Sequence, residues 1–383
     1  MIIIIRFRKL LTIAAIAVCI IILLNIIFGA KPSVVTSSKA LQTNLTTPIT
    51  PLATTAATPP TAATQKTSES PGSPSPAPQK YIKWVDFRIP QAAMEKAINV
   101  DIKSHAPDSK VQISWIEVLS YLAAKYYGNM SSYKSKDMDQ VVATLNNGET
   151  IQTLSKGYKL FDYYFEAYSS VLSGLVGEYS TEYVDKAAPN TKLWKKTYGL
   201  KAFSPFGSGY YYGHFDDFGT SRSFGYKRKH LGHDMMGSVG TPIVAIESGT
   251  VEALGWNPYG GWRIGIRTLD NKRSYYYAHL RKTHPYHANI QIGSTVRAGD
   301  VIGYLGMTGY STKEGSNNVK KPHLHVGMQL VFNEVQKEGI NQIWIDLYDI
   351  INLLQKHRSQ VKLDPITKDF NRVYGFVDPQ MLD

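Results

Sequence analysis

A single cysteine, Cys19, among 383 residues excludes an internal disulfide framework. No Gly-x-Ser-x-Gly elbow occurs, so a serine nucleophile raised on a strand-to-helix turn has no support. Acidic residues are outnumbered, 30 Asp and Glu against 42 Lys and Arg, which leaves a net charge of +12. No nucleic-acid-binding motif accompanies that charge. On an exported protein it favours association with an anionic surface; a merely solvated basic face is the bland alternative. Between 31 and 80 the only acidic residue is Glu69, and Thr, Ala, Ser and Pro dominate. Such a segment cannot bury enough apolar surface to fold, and its prolines keep it extended. It reads as a disordered linker, either a spacer or plain filler.

What precedes the linker is apolar. Leu10 to Ala30 is interrupted only by Thr12, Asn25 and Gly29, and follows Arg6, Arg8 and Lys9. About twenty such residues cross a bilayer core as a helix, and the preceding positive cluster predicts a cytoplasmic N-terminus with the remainder exported. The rival is a cleaved signal peptide. The run is long for one, and Phe28-Gly-Ala30 is a poor cleavage site. Residues 1–9 are thus expected as a cytoplasmic tail, 10–30 as a transmembrane helix and 31–80 as linker.

Beyond Tyr81 the pattern becomes helical. Pro90 is placed to open a helix running toward His105. Ser114-Trp-Ile-Glu117 forms a capping box before Val118, Leu119, Leu122, Ala123 and Tyr126 at helical spacing. Shorter and longer helices are expected over 137–145 and 160–175. Glu117 alone could be imagined as a glycosidase acid, but that chemistry uses a second carboxylate, and the capping role explains it. Residues 81–200 therefore read as a small helical domain ending in a mixed-charge connector, Glu178 to Lys201. From 201 to 357 strand signals dominate. The runs 243–247 and 250–254 flank Ser248-Gly249, and 262–268 and 273–278 flank Asp270-Asn271, as two hairpins. A helix over 345–354 and a tail over 358–383 follow. The fold class expected is a multidomain α+β chain with a mainly antiparallel β domain.

The chemistry concentrates in three short stretches. Arg228 to Asp234 reads R-K-H-L-G-H-D, with His230 and Asp234 four apart. Tyr277-Ala-His-Leu280 contributes His279, and Pro322-His-Leu-His325 contributes His323 and His325. Two residues apart on a strand, His323 and His325 point to one face. A catalytic zinc takes three protein ligands, nitrogen or carboxylate among them, and keeps a further position open. Histidines left over suit proton transfer near neutral pH. Each spacing alone is weak. Their order is not, together with Gly240-Thr-Pro-Ile-Val-Ala-Ile-Glu-Ser-Gly-Thr-Val251, Gly299-Asp-Val-Ile-Gly303 and Gly306-Met-Thr-Gly309.

From about Phe203 to Leu354 this series resembles the LytM/lysostaphin-type zinc endopeptidases, which cut the peptides of bacterial peptidoglycan. The resemblance implies that His230, Asp234 and His325 ligate Zn2+ and that His279 and His323 are the two catalytic histidines. It also implies a tyrosine near the first ligand, for which Tyr226 is the candidate. Two departures stand out. Lys313 to Lys321 is inserted before Pro322, which should lengthen a wall of the groove. Val326-Gly-Met328 follows the last ligand where an acidic residue is often found. A helical segment ahead of the peptidase is similar to membrane-anchored members from spore-forming Gram-positive bacteria. The expected partners are peptidoglycan, the membrane and a possible protein of a division or sporulation complex. The rival function is a catalytically silent or gated wall-binding scaffold of such a complex. His233, between the ligands, is expected to point away. His284 and His287 form His-x-x-His in a Pro-containing loop, with a second metal site as the alternative to a plain structural role, and His105, His214 and His357 have no partner in sequence.

Overall fold

The computed structural model describes residues 81–188, 190–339 and 341–381. The expected membrane span and linker lie outside the described residues. Among those described, no helix is long and apolar enough to cross a membrane.

Five helices come first: α1 (Gln91–Ser104), α2 (Trp115–Lys125), α3 (Ser135–Asn146), α4 (Ile151–Ser155) and α5 (Phe161–Leu172). Ser114 caps α2 by accepting from the Glu117 amide at 3.3 Å, a contact of a kind that contributes about 1 kcal/mol. Val118, Leu119, Leu122 and Ala123 are buried by this helix, and Tyr164, Ala167, Tyr168, Val171 and Leu172 by α5. These are the faces that the 3.6-residue spacing marks. Glu117 stays at the first turn of α2, with its carboxyl pushed up by burial and partly restored by a hydrogen bond from Gln152.

The mixed-charge connector is not a connector. It forms a hairpin, β1 (Val176–Val184) with β2 (Lys192–Leu200), in nine-residue register. β1 is mostly half-buried along its whole length and β2 is exposed over its first five residues, so there is no apolar alternation to reveal the hairpin. The partners that hold it are remote. Tyr198 donates to the buried Asp101 carboxylate at 2.8 Å, and a strand from the C-terminal tail pairs with β1.

The strand-rich region contributes β3 (Gly213–His214), β4 (Ser221–Phe224), β5 (Tyr226–Lys229), β6 (His233–Met236), β7 (Pro242–Val244), β8 (Gly249–Asn257), β9 (Gly261–Thr268), β10 (Arg273–Ala278), β11 (Thr295–Val296), β12 (Val301–Tyr304) and β13 (His323–Leu330). After these come α6 (Glu334–Glu338), β14 (Ile343–Ile345), α7 (Tyr348–Leu354), β15 (Val361–Leu363), β16 (Phe370–Arg372) and β17 (Phe376–Val377). The main sheet is antiparallel throughout, ordered β11-β8-β9-β10-β13-β6-β3, with β14 also on β13. The domain is therefore mainly antiparallel β with a few helices.

The β9–β10 hairpin forms around Asp270-Asn271 as expected, with Asn271 at φ +59°. The other expected hairpin does not form. β7 pairs with β12, whereas β8 pairs with β9 and β11. The backbone of Ala245 and Ile246 is already engaged: Ala245 exchanges bonds with Asp300 and Gly299, and Ile246 accepts from Phe203. The 345–354 helix starts only at Tyr348, because Ile343–Ile345 is taken into the sheet and Asp346 accepts from the Tyr348 amide at 3.0 Å. The tail folds back: β15 pairs β16, and β17 completes the β1–β2 sheet. One continuous cluster of buried side chains runs from α1–α5 into the main sheet.

Candidate metal centre

Strand register builds the site. β13 lies between β10 and β6, so His325 sits opposite Asp234 on one side and Ala278 on the other. Directly paired residues bring their Cβ atoms to about 4.5–5.5 Å, close enough for His325 and Asp234 to share a ligand. His230 arrives from the loop before β6, and its backbone is held there by bonds with Gly219 and Thr220. The outcome is a triangle. His230 Nε2 lies 3.0 Å from Asp234 Oδ1 and 2.9 Å from His325 Nδ1, which is 3.0 Å from the same Oδ1. His230 and Asp234 are buried and His325 is partly so. Gly232 is required between the first two, since a Cβ there would stand 2.5 Å from the His325 ring.

A set of two imidazole nitrogens and one carboxylate oxygen suits a metal ion. Asp234 Oδ1 can accept an N–H from each ring, but two such N–H groups then face each other across the 2.9 Å His230–His325 contact, which a metal ion resolves. A tetrahedral zinc with bonds of about 2.0–2.1 Å separates its ligands by about 3.3–3.4 Å, so the triangle needs to open only slightly. His230 is oriented from behind, with Nδ1 at 3.2 Å from the Asp217 carbonyl and 3.3 Å from its carboxylate. Arg222 bridges Asp217 and Asp234, reaching Asp234 Oδ2 at 3.4 Å. Outer partners of this kind fix ligand orientation and tautomer.

Burial alone would push the Asp234 carboxyl up, but hydrogen bonds from His230 and His325 hold it well below the ordinary range. For His230, burial pushes the imidazolium down, yet the Asp217 and Asp234 carboxylates outweigh it and hold the pKa up to about 9. Metal-free His230 therefore carries a proton through neutral pH, and a metal must displace it. Apparent metal affinity is expected to climb about tenfold per pH unit until roughly pH 9 and then flatten. Competition titrations with a chelating dye across pH 6.5–9.5 check this. A flat profile between pH 7 and 9 would contradict the proton assignment.

The two remaining histidines stand beside the triangle. His279 follows the end of β10 in the left-handed region, φ +59°, and its Nδ1–H donates to the Thr308 carbonyl at 2.7 Å. Its Nε2 is thereby left as an acceptor. Burial first, then the neighbouring His323 and His325, push its pKa down to about 3. His323 donates Nδ1–H to the Lys321 carbonyl at 2.8 Å, with Nε2 3.7 Å from Asp234 Oδ1. The rings of His279 and His323 are 4.7 Å apart. All five residues thus gather at one place.

With His323 buried beside them, His230, Asp234, His279 and His325 line a cleft of about 360 Å³. Its tyrosines are Tyr259, Tyr276 and Tyr310; Tyr226 is exposed and meets the cleft only edge-on through Tyr259. The inserted segment packs back, with Val319 buried and bonded to Met307, and Asn318 donating to the Tyr310 carbonyl. Trp344 of β14 forms another wall. Gly327 makes room for it, since a Cβ there would meet the indole at 2.8 Å. The departure after the last ligand is thus a packing adjustment. Asp217 and Trp344 carry no spacing signal in the sequence. His233 turns away from the cleft and bonds His214 at 2.8 Å, with its pKa pushed by burial to about 4. His284 and His287 contact Asp369 and Asn371 of the tail, and so serve packing.

A buried His-Asp-His donor set at the floor of an open cleft, on an antiparallel sheet, defines a metal centre of the catalytic rather than the closed structural type. Residues 228–338 match the family model "Peptidase family M23", and the chain carries a peptidase M23 domain there. An L-Ala--D-Glu endopeptidase of Bacillus subtilis is 40% identical over 117 residues, 30% of this chain and 34% of that protein. Lysostaphin of Staphylococcus simulans is 40% identical over 97 residues, 25% of this chain and 17% of that protein. This chain thus spans about a third or less of the length of these relatives. Among solved structures, a candidate glycyl-glycine endopeptidase lytM from Ruminococcus gnavus aligns over 71% of this chain and 91% of its own, at 23% identity and a TM-score of 0.47.

Proposed function

We propose that this chain is a zinc endopeptidase that hydrolyses peptide bonds in peptidoglycan stem peptides or cross-links. The observation that carries the proposal is a three-donor triangle that lines one cleft together with His279, with His323 packed against both, each of these two histidines keeping Nε2 clear of its backbone hydrogen bond. The family match and a relative named L-Ala--D-Glu endopeptidase support peptide-bond hydrolysis, and the resemblance to the LytM/lysostaphin type supports the wall substrate. His230 Nε2, Asp234 Oδ1 and His325 Nδ1 would hold the ion. When bound, zinc supplies Lewis-acid polarisation of a peptide carbonyl and a water acidic enough to ionise near neutral pH.

The chain's own groups do the rest. His279, neutral at working pH, accepts a hydrogen bond or proton at Nε2, while the Thr308 carbonyl keeps its other nitrogen protonated. His323, held by the Lys321 carbonyl, handles the second proton at its own Nε2 and steadies charge growing on the carbonyl oxygen. The segment 10–30 and the linker carry the further proposal that a membrane holds the enzyme on its extracytoplasmic side. The net charge of +12 supports contact with an anionic wall.

The full-length chain, purified in detergent with zinc, is expected to release peptide fragments from purified peptidoglycan. A chelator should stop the release and added zinc restore it, with mass spectrometry identifying the new ends. Metal-loaded protein that releases nothing from several wall types would instead favour the silent scaffold.

A further inference from the structure

Arg228 lines the cleft from β5, two residues before the first donor. Its guanidinium lies 4.7 Å from the ring centre of Tyr259 and 5.6 Å from that of Tyr310. Cation–π contacts of this kind orient a cation without neutralising it. Its Nη1 is buried and has no hydrogen-bond partner among the described residues. A buried donor left unmade costs free energy, so such an atom needs an explanation. The nearby Arg222 is the contrast, since its charge is matched by Asp217 and Asp234. Asp234 is the one carboxylate among the described residues lining the cleft, and it is committed to Arg222, His230 and His325. The cleft therefore presents an oriented guanidinium whose charge no carboxylate among the described residues answers.

We infer that Arg228, held between Tyr259 and Tyr310, is a carboxylate-binding subsite that selects peptides bearing a free carboxylate over their amidated forms. A guanidinium fork matches a carboxylate in two parallel bonds, which adds geometric selection to charge. A plain aromatic cap would give no reason for an unpaired N–H at this position. The inference deepens the proposed peptidase reading, because it names what the substrate must carry.

The test uses the full-length chain in detergent and two synthetic stem tetrapeptides, identical except that one glutamyl α-carboxylate is a carboxamide in the second. Dissociation constants are measured calorimetrically on zinc-loaded and on chelated protein, so that hydrolysis is not needed for the readout. The acid peptide is expected to bind at least about tenfold tighter. Arg228→Gln should erase that ratio, and Arg228→Lys should keep part of it. Melting curves establish that both variants are folded, and Arg228→Lys keeps the test informative if Arg228→Gln is not. Equal binding of acid and amide by the wild-type protein overturns the inference, as does absence of binding by both, or an unchanged ratio in the folded variants. Acid-selective binding without any cleavage leaves the subsite standing and sinks the peptidase reading instead. Cleavage without acid preference does the reverse.

Discussion

Replacing His279 with asparagine is expected to lower kcat on wall peptides by about 10²–10⁴, the usual contribution of a positioned acid–base group, while the protein still binds one zinc. The backbone dictates the choice of substitution. His279 sits at φ +59°, a region in which asparagine and histidine are several-fold enriched and alanine is not. Asparagine therefore removes the imidazole without adding backbone strain. It cannot supply a basic nitrogen where Nε2 stands. His279 lies outside the three-donor triangle, so metal content, read by atomic emission on dialysed protein, should remain at one per chain. Replacing His325 with alanine should differ in kind, taking metal and activity together. If His279→Asn retained full kcat, the proton-transfer role would be wrong. If it lost the metal, His279 would belong among the ligands.

The parts of this site that could be read from the chain share a physical basis. His323 and His325 share a face because strand side chains alternate, and His230 and Asp234 belong together because a short loop with a glycine links them. These are local rules, and the sequence exposes them. Asp217 and Arg222 act across the fold: one reaches His230 through a loop turned back on it, and the other spans two carboxylates. No spacing announces either. Tyr226 shows the same limit from the opposite side. It is near in sequence to the first donor, yet the β4–β5 hairpin carries its ring outward, and Tyr259, Tyr276 and Tyr310 reach the cleft from other strands and loops.

The fold divides similarly. Helices α2 and α5 were legible because one face is continuously apolar, and β9–β10 because a turn dipeptide joins two β-branched and aromatic runs. The β1–β2 hairpin was not, since its polar strands bury little and depend on β17 from nearly two hundred residues away. The segment after β7 misled for a related reason. It looks like one arm of a hairpin around Ser248-Gly249, but Phe203, Gly299 and Asp300 claim its backbone groups first.

Long-range commitment of buried polar groups also sets the largest stability effect expected here. Arg273, at the start of β10, is 1% exposed and Glu247 is 5% exposed. Its Nε and Nη2 donate to the two oxygens of Glu247 at 2.9 and 3.0 Å. Nη1 donates to the Ser170 carbonyl at 2.8 Å and to Ser173 Oγ at 3.1 Å, both at the end of α5. Asp270 takes a further bond from Nη2 at 3.1 Å, and Tyr275 donates to Glu247 at 2.6 Å. Arg273 therefore ties the helical segment to the sheet through a network with little access to water. Arg273→Met would strand the Glu247 carboxylate and is expected to cost about 3–5 kcal/mol in urea or thermal unfolding. The double change with Glu247→Leu removes the stranded charge as well, and should recover a substantial part of the loss, because desolvating an ion pair offsets much of its attraction. The network lies at the opposite end of β10 from Ala278 and His279, so metal content in the folded single variant should stay at the wild-type level. A single variant as stable as wild type would show that the Arg273–Glu247 pair does not hold the two parts together. A double variant no better than the single would place the loss in the bonds to Ser170 and Ser173 instead of in the unpaired charge.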